Sequence, residues 1–213
     1  HEIGNPVTAI ACLAQNLDSE SDAREQMESS QQILEQTRRI TRIVESLVTF
    51  SHSGSVRQSE HVPVSIHDTV EEAISLLLLD PDHRQQHFDN QCPTNKWVQG
   101  DPQRLLQVFI NLLGNAADAC KPEQPITIHC QEHDSWLEIQ VEDLGHGIPA
   151  DVRDALFEPF VTSKSPGRGT GLGLALVYSI IEEHFGSISV ESPLNEHGGT
   201  RFIIRLPIHT ITN

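Results

Sequence analysis

Glycines at 167, 169, 171 and 173, with Thr170 and Leu172 between them, limit more than any other feature how this chain folds. Glycine reaches φ > 0 without strain and lets a backbone approach a ligand closely. The run Gly167-Arg168-Gly169-Thr170-Gly171-Leu172-Gly173-Leu174 opens onto a helical pattern. Successive main-chain N–H groups at a helix start suit an anion such as a phosphate. Upstream stands an acidic turn, Asp143-Leu144-Gly145-His146-Gly147-Ile148-Pro149, followed by an apolar hinge, Phe157-Glu158-Pro159-Phe160. Asp143 offers a carboxylate to an amino group, and the glycine run covers phosphates. Residues 143–173 read as a nucleotide pocket, with the rest of the chain as its wall and its substrate.

Composition removes several alternatives. A formal net charge of −16 over 213 residues argues against non-specific nucleic-acid binding, which needs a basic surface. It suits a soluble protein, or one whose partner carries a basic patch. No run approaches the roughly 18 apolar residues of a membrane helix. His1 stands beside Glu2 with no signal-peptide pattern after them. The expectation is a cytoplasmic domain, joined to a membrane only through domains upstream. Cys12, Cys92, Cys120 and Cys130 show no CxxC spacing and read as reduced thiols.

The N-terminal segment reads as a helical hairpin. Ile3, Val7, Ile10, Ala14 and Leu17 follow a heptad seam, with Pro6 expected to bend the helix near its start. Residues 18–22 form a polar break with N-cap candidates. A second helix runs to about Phe50, with Ile33, Ile40, Val44 and Leu47 on its seam. A hairpin cannot close a core alone, and two of them make a four-helix bundle as a dimer. The second helix is longer by about 10 residues, roughly 15 Å, so the first helix is expected to begin upstream of residue 1. The expected division is a hairpin over 1–53, a linker over 54–61 and a second domain over 62–213.

That second domain reads as an α+β sandwich, one sheet covered on one face by helices. Strands are expected at Val62-Pro63-Val64, 88–92, 96–99, 126–130, 136–141, 187–192 and 199–206, the last two as an antiparallel pair. Helices are expected at 66–79, from the N-cap Asp101 to about Ala119, and at 172–184. Leu105, Val108, Phe109, Leu112 and Leu113 form the buried face of the middle helix. Asn111 and Asn115 share another face of it, one turn apart. An amide offers a carbonyl to a hard cation and an NH₂ to a phosphate oxygen.

Taken in order, Asn111-Leu112-Leu113-Gly114-Asn115-Ala116, the acidic turn, the hinge, the glycine run and Gly198-Gly199-Thr200-Arg201-Phe202 resemble the ATP-binding domain of histidine kinases. That domain belongs to the GHKL ATPase superfamily of gyrase, Hsp90, histidine kinases and MutL. His1-Glu2-Ile3-Gly4-Asn5-Pro6 resembles the phospho-acceptor box of the same family, on the first helix of a dimerisation hairpin. The run around it is similar to the CbrA-type sensor kinases. A zinc protease needs His at position 5, where Asn5 stands.

The resemblance implies a sensor histidine kinase of a two-component system, binding ATP and Mg²⁺. Asp143 selects the adenine amino group, with Gly145, Gly147 and Ile148 shaping its turn. Asn115 ligates Mg²⁺, with Asn111 on metal or phosphate. Gly169, Thr170, Gly171, Leu172 and Gly173 wrap the phosphates, with Lys164 and Arg168 as their cations and Thr200 on the closing strand. Many relatives carry a basic residue where Asp118 stands, so Asp118 either contacts phosphate or orders the pocket. His1 takes the phosphoryl group, assisted by Glu2, and passes it to an aspartate of a response regulator receiver domain. Asn5 orients a water for a phosphatase activity. The rival readings are a nucleotide-driven clamp, for which Asn111 is a poor base, and a non-catalytic scaffold.

Overall fold

The order of elements follows from short local signals. In the computed structural model, residues 4–17, 22–53, 61–164 and 169–208 are described. Helix α1, Gly4–Leu17, and helix α2, Ala23–Ser53, lie side by side as the expected hairpin. Asp22 opens α2, accepting the Arg24 N–H at 2.9 Å. Pro6 is buried in the first turn of α1, and the bend expected there falls on residues 1–3, outside the described residues. Seam positions Val7 and Val44 stay 50% and 42% exposed, so one hairpin leaves part of its apolar seam uncovered. Among the described residues no helix is long and apolar enough to cross a membrane.

The α+β unit begins with β1, Val62–Ser65, and α3, Ile66–Leu77, whose N-cap Ser65 accepts the Asp68 N–H. Strands β2, Phe88–Asn90, and β3, Trp97–Gly100, follow. Helix α4, Pro102–Ala119, starts where Asp101 accepts the N–H groups of Gln103 and Arg104 at 2.9 and 3.2 Å. Proline at the first helical position gives up only an N–H that has no helical partner. Next come β4, Ile126–Glu132, β5, Trp136–Asp143, and a short helix α5, Ala150–Arg153, that the sequence did not announce. Helix α6, Gly173–Glu183, and the antiparallel pair β6, Ser187–Glu191, and β7, Thr200–Pro207, complete the domain.

One sheet has the order β2-β4-β5-β7-β6, parallel only between β2 and β4. Alternation along β5 and β7 turns Leu137, Ile139, Val141, Phe202, Ile204 and Leu206 inward. They meet the buried face of α4, including Leu105, Val108, Phe109, Leu112 and Leu113, together with Val177, Ile180 and Ile181 of α6. The other face of the sheet is polar. Arg201 pairs there with Glu142 and Glu191, and Arg205 with Glu138. The exposed pair Arg201–Glu191 contributes little, typically under about 1 kcal/mol.

Two expectations are corrected. Strands β1 and β3 do not join the main sheet but form their own antiparallel pair. The cysteines are not all reduced: Cys92 and Cys130 form a disulfide with Cα atoms 4.8 Å apart, while Cys12 and Cys120 are free. The parallel pairing Asn90↔Ile128, extended by the Gln91 N–H donating to the Ile128 carbonyl at 2.9 Å, brings the two thiols face to face. Spacing along the chain carries no trace of a bridge between neighbouring strands 38 residues apart.

Candidate active site around helix α4

Asp143 ends β5 opposite Thr200 of β7 and is only 4% exposed. Its Oδ1 accepts the Gly145 N–H at 2.9 Å, and Thr200 stands beside the carboxylate. Burial pushes this carboxyl above its ordinary value, against the pull of that hydrogen bond. The turn then runs tight against the end of α4. A Cβ on Gly145 would stand 2.6 Å from the Ala119 carbonyl oxygen, so only glycine fits. Gly147 is buried just beyond it. The Ile148 N–H donates to Ser192 Oγ at 2.8 Å, and Ser192 in turn donates to the Gly199 carbonyl. Through Ser192, the β6–β7 connection holds the acidic turn.

Helix α4 carries Asn111, Asn115 and Asp118 past this turn. Asn111 donates from Nδ2 to the Gln107 carbonyl at 2.9 Å, and its Oδ1 lies against Gly173, where a Cβ would approach to 2.8 Å. Asn115 Oδ1 accepts the Lys164 ammonium at 3.0 Å, and Asp118 Oδ2 accepts the same ammonium at 2.6 Å. The other Asp118 oxygen lies 3.1 Å from His83 Nε2. Burial alone would raise the Asp118 carboxyl, but Lys164 and His83 outweigh it and hold the group below its ordinary value.

The glycine run meets the hinge through its backbone. The Phe160 N–H donates to the Gly171 carbonyl at 2.8 Å, and Gly171 has φ +65 with the Phe160 main chain directly behind it. Gly169 packs against Thr162 and Lys164. Thr170 Oγ1 accepts the Leu172 N–H at 3.3 Å, and buried Leu172 caps α6, which Gly173 begins.

The structure thus gathers Asn111, Asn115, Asp118, Lys164 and Gly173 along α4, with Asp143, Gly145 and Thr200 at its end. Asn5 is exposed on α1, among none of these. His1, Glu2 and Arg168 lie outside the described residues. His83 and Ser192 were not singled out from sequence. Each stands in a stretch without motif, and its partner is distant along the chain. An open groove lined by His129, Gln140 and Arg201 lies apart, on the polar face of the sheet.

Comparison with known proteins agrees with this layout. Residues 100–210 match the family of histidine kinase-, DNA gyrase B- and HSP90-like ATPases, and residues 1–55 match the His Kinase A (phospho-acceptor) domain. The sensory histidine kinase/phosphatase NtrB of Rhodobacter capsulatus is 38% identical, over 98% of this chain and 60% of its own length. The sensor histidine kinase ZraS of Escherichia coli is 32% identical, over 98% of this chain and 44% of its own. The chain therefore spans about half the length of these curated relatives. Among solved structures, the mycobacterial sensor histidine kinase MprB superposes with TM-score 0.63 at 27% identity, covering 71% of this chain and 99% of its own. The Acinetobacter baumannii histidine kinase AdeS shares the fold at TM-score 0.74 and 24% identity, over 99% and 98% of the two chains. With both family segments present in order and the ATPase motifs gathered around one helix, this chain belongs to the sensor histidine kinases, a phospho-acceptor hairpin followed by a GHKL-type ATPase domain.

Proposed function

We propose that this kinase core binds Mg·ATP, phosphorylates His1 and hands the phosphoryl group to an aspartate of a response regulator. The observation that carries the reading is the arrangement along α4. A buried carboxylate, Asp143, sits at one end, and Asn115 already presents its amide oxygen to a cation, the Lys164 ammonium. An oxygen donor that holds an ammonium fits Mg²⁺, and a buried carboxylate fits an exocyclic amine. ATP supplies the γ-phosphoryl group. The chain's own residues position and neutralise: Asn115 for the metal, Asn111 for metal or phosphate, Lys164 and Arg168 for phosphate charge, and residues 169–173 for main-chain contacts.

At His1 a neutral ring nitrogen forms the N–P bond as the bond from phosphorus to the bridging oxygen breaks. Glu2 hydrogen-bonds the other nitrogen and stabilises the positive ring. The Rhodobacter relative is named a kinase/phosphatase, and the Asn5 amide is suited to orient a water on the phosphorylated regulator. The exposed seam positions Val7 and Val44 support a homodimer through a four-helix bundle. We assign residues 1–53 to the hairpin, 54–61 to the linker and 62–213 to the ATP-binding domain. The same reading places the unit in the cytoplasm, with membrane attachment only through other domains.

Incubation with γ-labelled ATP and Mg²⁺ tests this. An acid-labile label on the protein, lost in His1→Ala and in Asn115→Ala, is the expected result. Free phosphate without labelled protein would favour a clamp-like ATPase instead. Calorimetry that detects no Mg²⁺-dependent adenine-nucleotide binding would overturn the reading altogether.

A further inference from the structure

The Lys164 ammonium is already engaged at the site, and its partners are oxygens of α4. Asn115 and Asp118 stand three residues apart on one helix, so their side chains are neighbours on one face. They grip one ammonium between them at 3.0 and 2.6 Å. Asp118 does not swing freely, because its second oxygen faces His83 Nε2 at 3.1 Å. The His83 side chain is only 15% exposed, and its Nδ1 is buried with no partner among the described residues. The ring therefore has one polar contact, and that contact orients the Asp118 carboxylate. An anionic oxygen and an amide oxygen, held side by side on a rigid helix, are donors for a hard cation in general, of which an ammonium is one.

We infer that Asn115 Oδ1 and Asp118 Oδ2 form a two-oxygen cation seat. Lys164 fills it in the nucleotide-free chain, and the magnesium of a bound nucleotide takes it over. This deepens the reading of α4 as a Mg·nucleotide site and rests on it. Asp118 is then a positioning residue for Lys164 before binding and a carboxylate on the metal side after it. The exchange conserves function at both ends. The metal gains an anionic oxygen beside Asn115, and the displaced ammonium becomes available to phosphate oxygens. Lysine and metal compete for the same Asn115 oxygen, so each raises the concentration the other needs.

Two measurements test this, one of them without nucleotide. Lysines of the nucleotide-free protein are acylated with an N-hydroxysuccinimide ester and quantified by peptide mass spectrometry. Lys164 is expected to react at least threefold more slowly than exposed Lys121, and Asp118→Asn is expected to abolish that protection. Equal rates for Lys164 and Lys121 in the wild type would overturn the seat. Next, Mg²⁺ is titrated at fixed, saturating ADP, and the metal midpoint is read by calorimetry. Lys164→Met is expected to lower the midpoint at least threefold, and Asp118→Asn to raise it by a similar factor. Midpoints that stay together, or move the opposite way, refute the exchange. If ADP fails to bind with or without Mg²⁺, the nucleotide reading and the exchange both fall, while the acylation contrast still decides whether Asp118 holds the lysine.

Discussion

The main-chain N–H of Asp101 donates to Nε2 of His184 at 2.9 Å, across 83 residues of chain. The other ring nitrogen, Nδ1, lies 2.7 Å from the Ile180 carbonyl, so it carries the proton and the ring is neutral. This imidazole is 2% exposed and stacks on His61, centroids 4.8 Å apart. It joins the end of α6 to the N-cap of α4, the helix that carries the candidate site.

Burial lowers the proton affinity of His184 below the ordinary value of 6.5, outweighing the Ile180 carbonyl and the carboxylates of Asp101 and Glu183, which raise it. The unfolded chain therefore binds a proton near this value that the folded chain resists. Stability from this group is complete above the ordinary value and is lost as pH falls below it. Urea unfolding is expected to show a lower midpoint at acidic than at neutral pH. His184→Ala should flatten part of that difference and cost about 1–3 kcal/mol at neutral pH, the penalty for leaving a half-buried Asp101 N–H unpaired.

The Cys92–Cys130 bridge staples the short edge strand β2 to β4. Reduction should destabilise the domain by about 2–4 kcal/mol, seen as a lower melting temperature and a mass gain of two hydrogens. Cys92→Ser should melt at the same temperature with and without reductant. A wild-type melting temperature indifferent to reductant would contradict the structural role.

Gly171 holds φ +65 with the Phe160 carbonyl carbon 2.3 Å from where a Cβ would stand. Gly171→Ala is expected to cost at least about 1 kcal/mol from the backbone alone, and to weaken adenine-nucleotide binding by displacing the hinge. Gly4→Ala is the control, since no atom lies within 4 Å of its added Cβ. Thermal unfolding and calorimetry on both variants separate strain at the hinge from a general effect of the substitution.

Asp143→Asn keeps the shape of the turn and removes the charge. A hydrogen bond to a charged group contributes about 1.5–3 kcal/mol, so adenine-nucleotide affinity should fall roughly 10–100-fold. Fluorescence titration with a labelled adenine nucleotide checks this. Unchanged affinity would remove Asp143 from base recognition.

The sequence alone determined what depends on near neighbours. Periodicity placed Leu105, Val108, Phe109, Leu112 and Leu113 on the buried face of α4, Asp101 marked its start, and the ordered glycine motifs identified the family. Each signal is complete within a few residues, because helix period, capping and positive φ are local properties of the backbone. Tertiary structure decided what depends on strand order and register: the bridge between Cys92 and Cys130, the separation of β1 and β3 from the main sheet, and the grip of His83 on Asp118. Those partners lie 35 or more residues apart in the disulfide and in the His83–Asp118 pair. No spacing rule connects such residues, since only the packing of α3, α4 and the sheet brings them within reach.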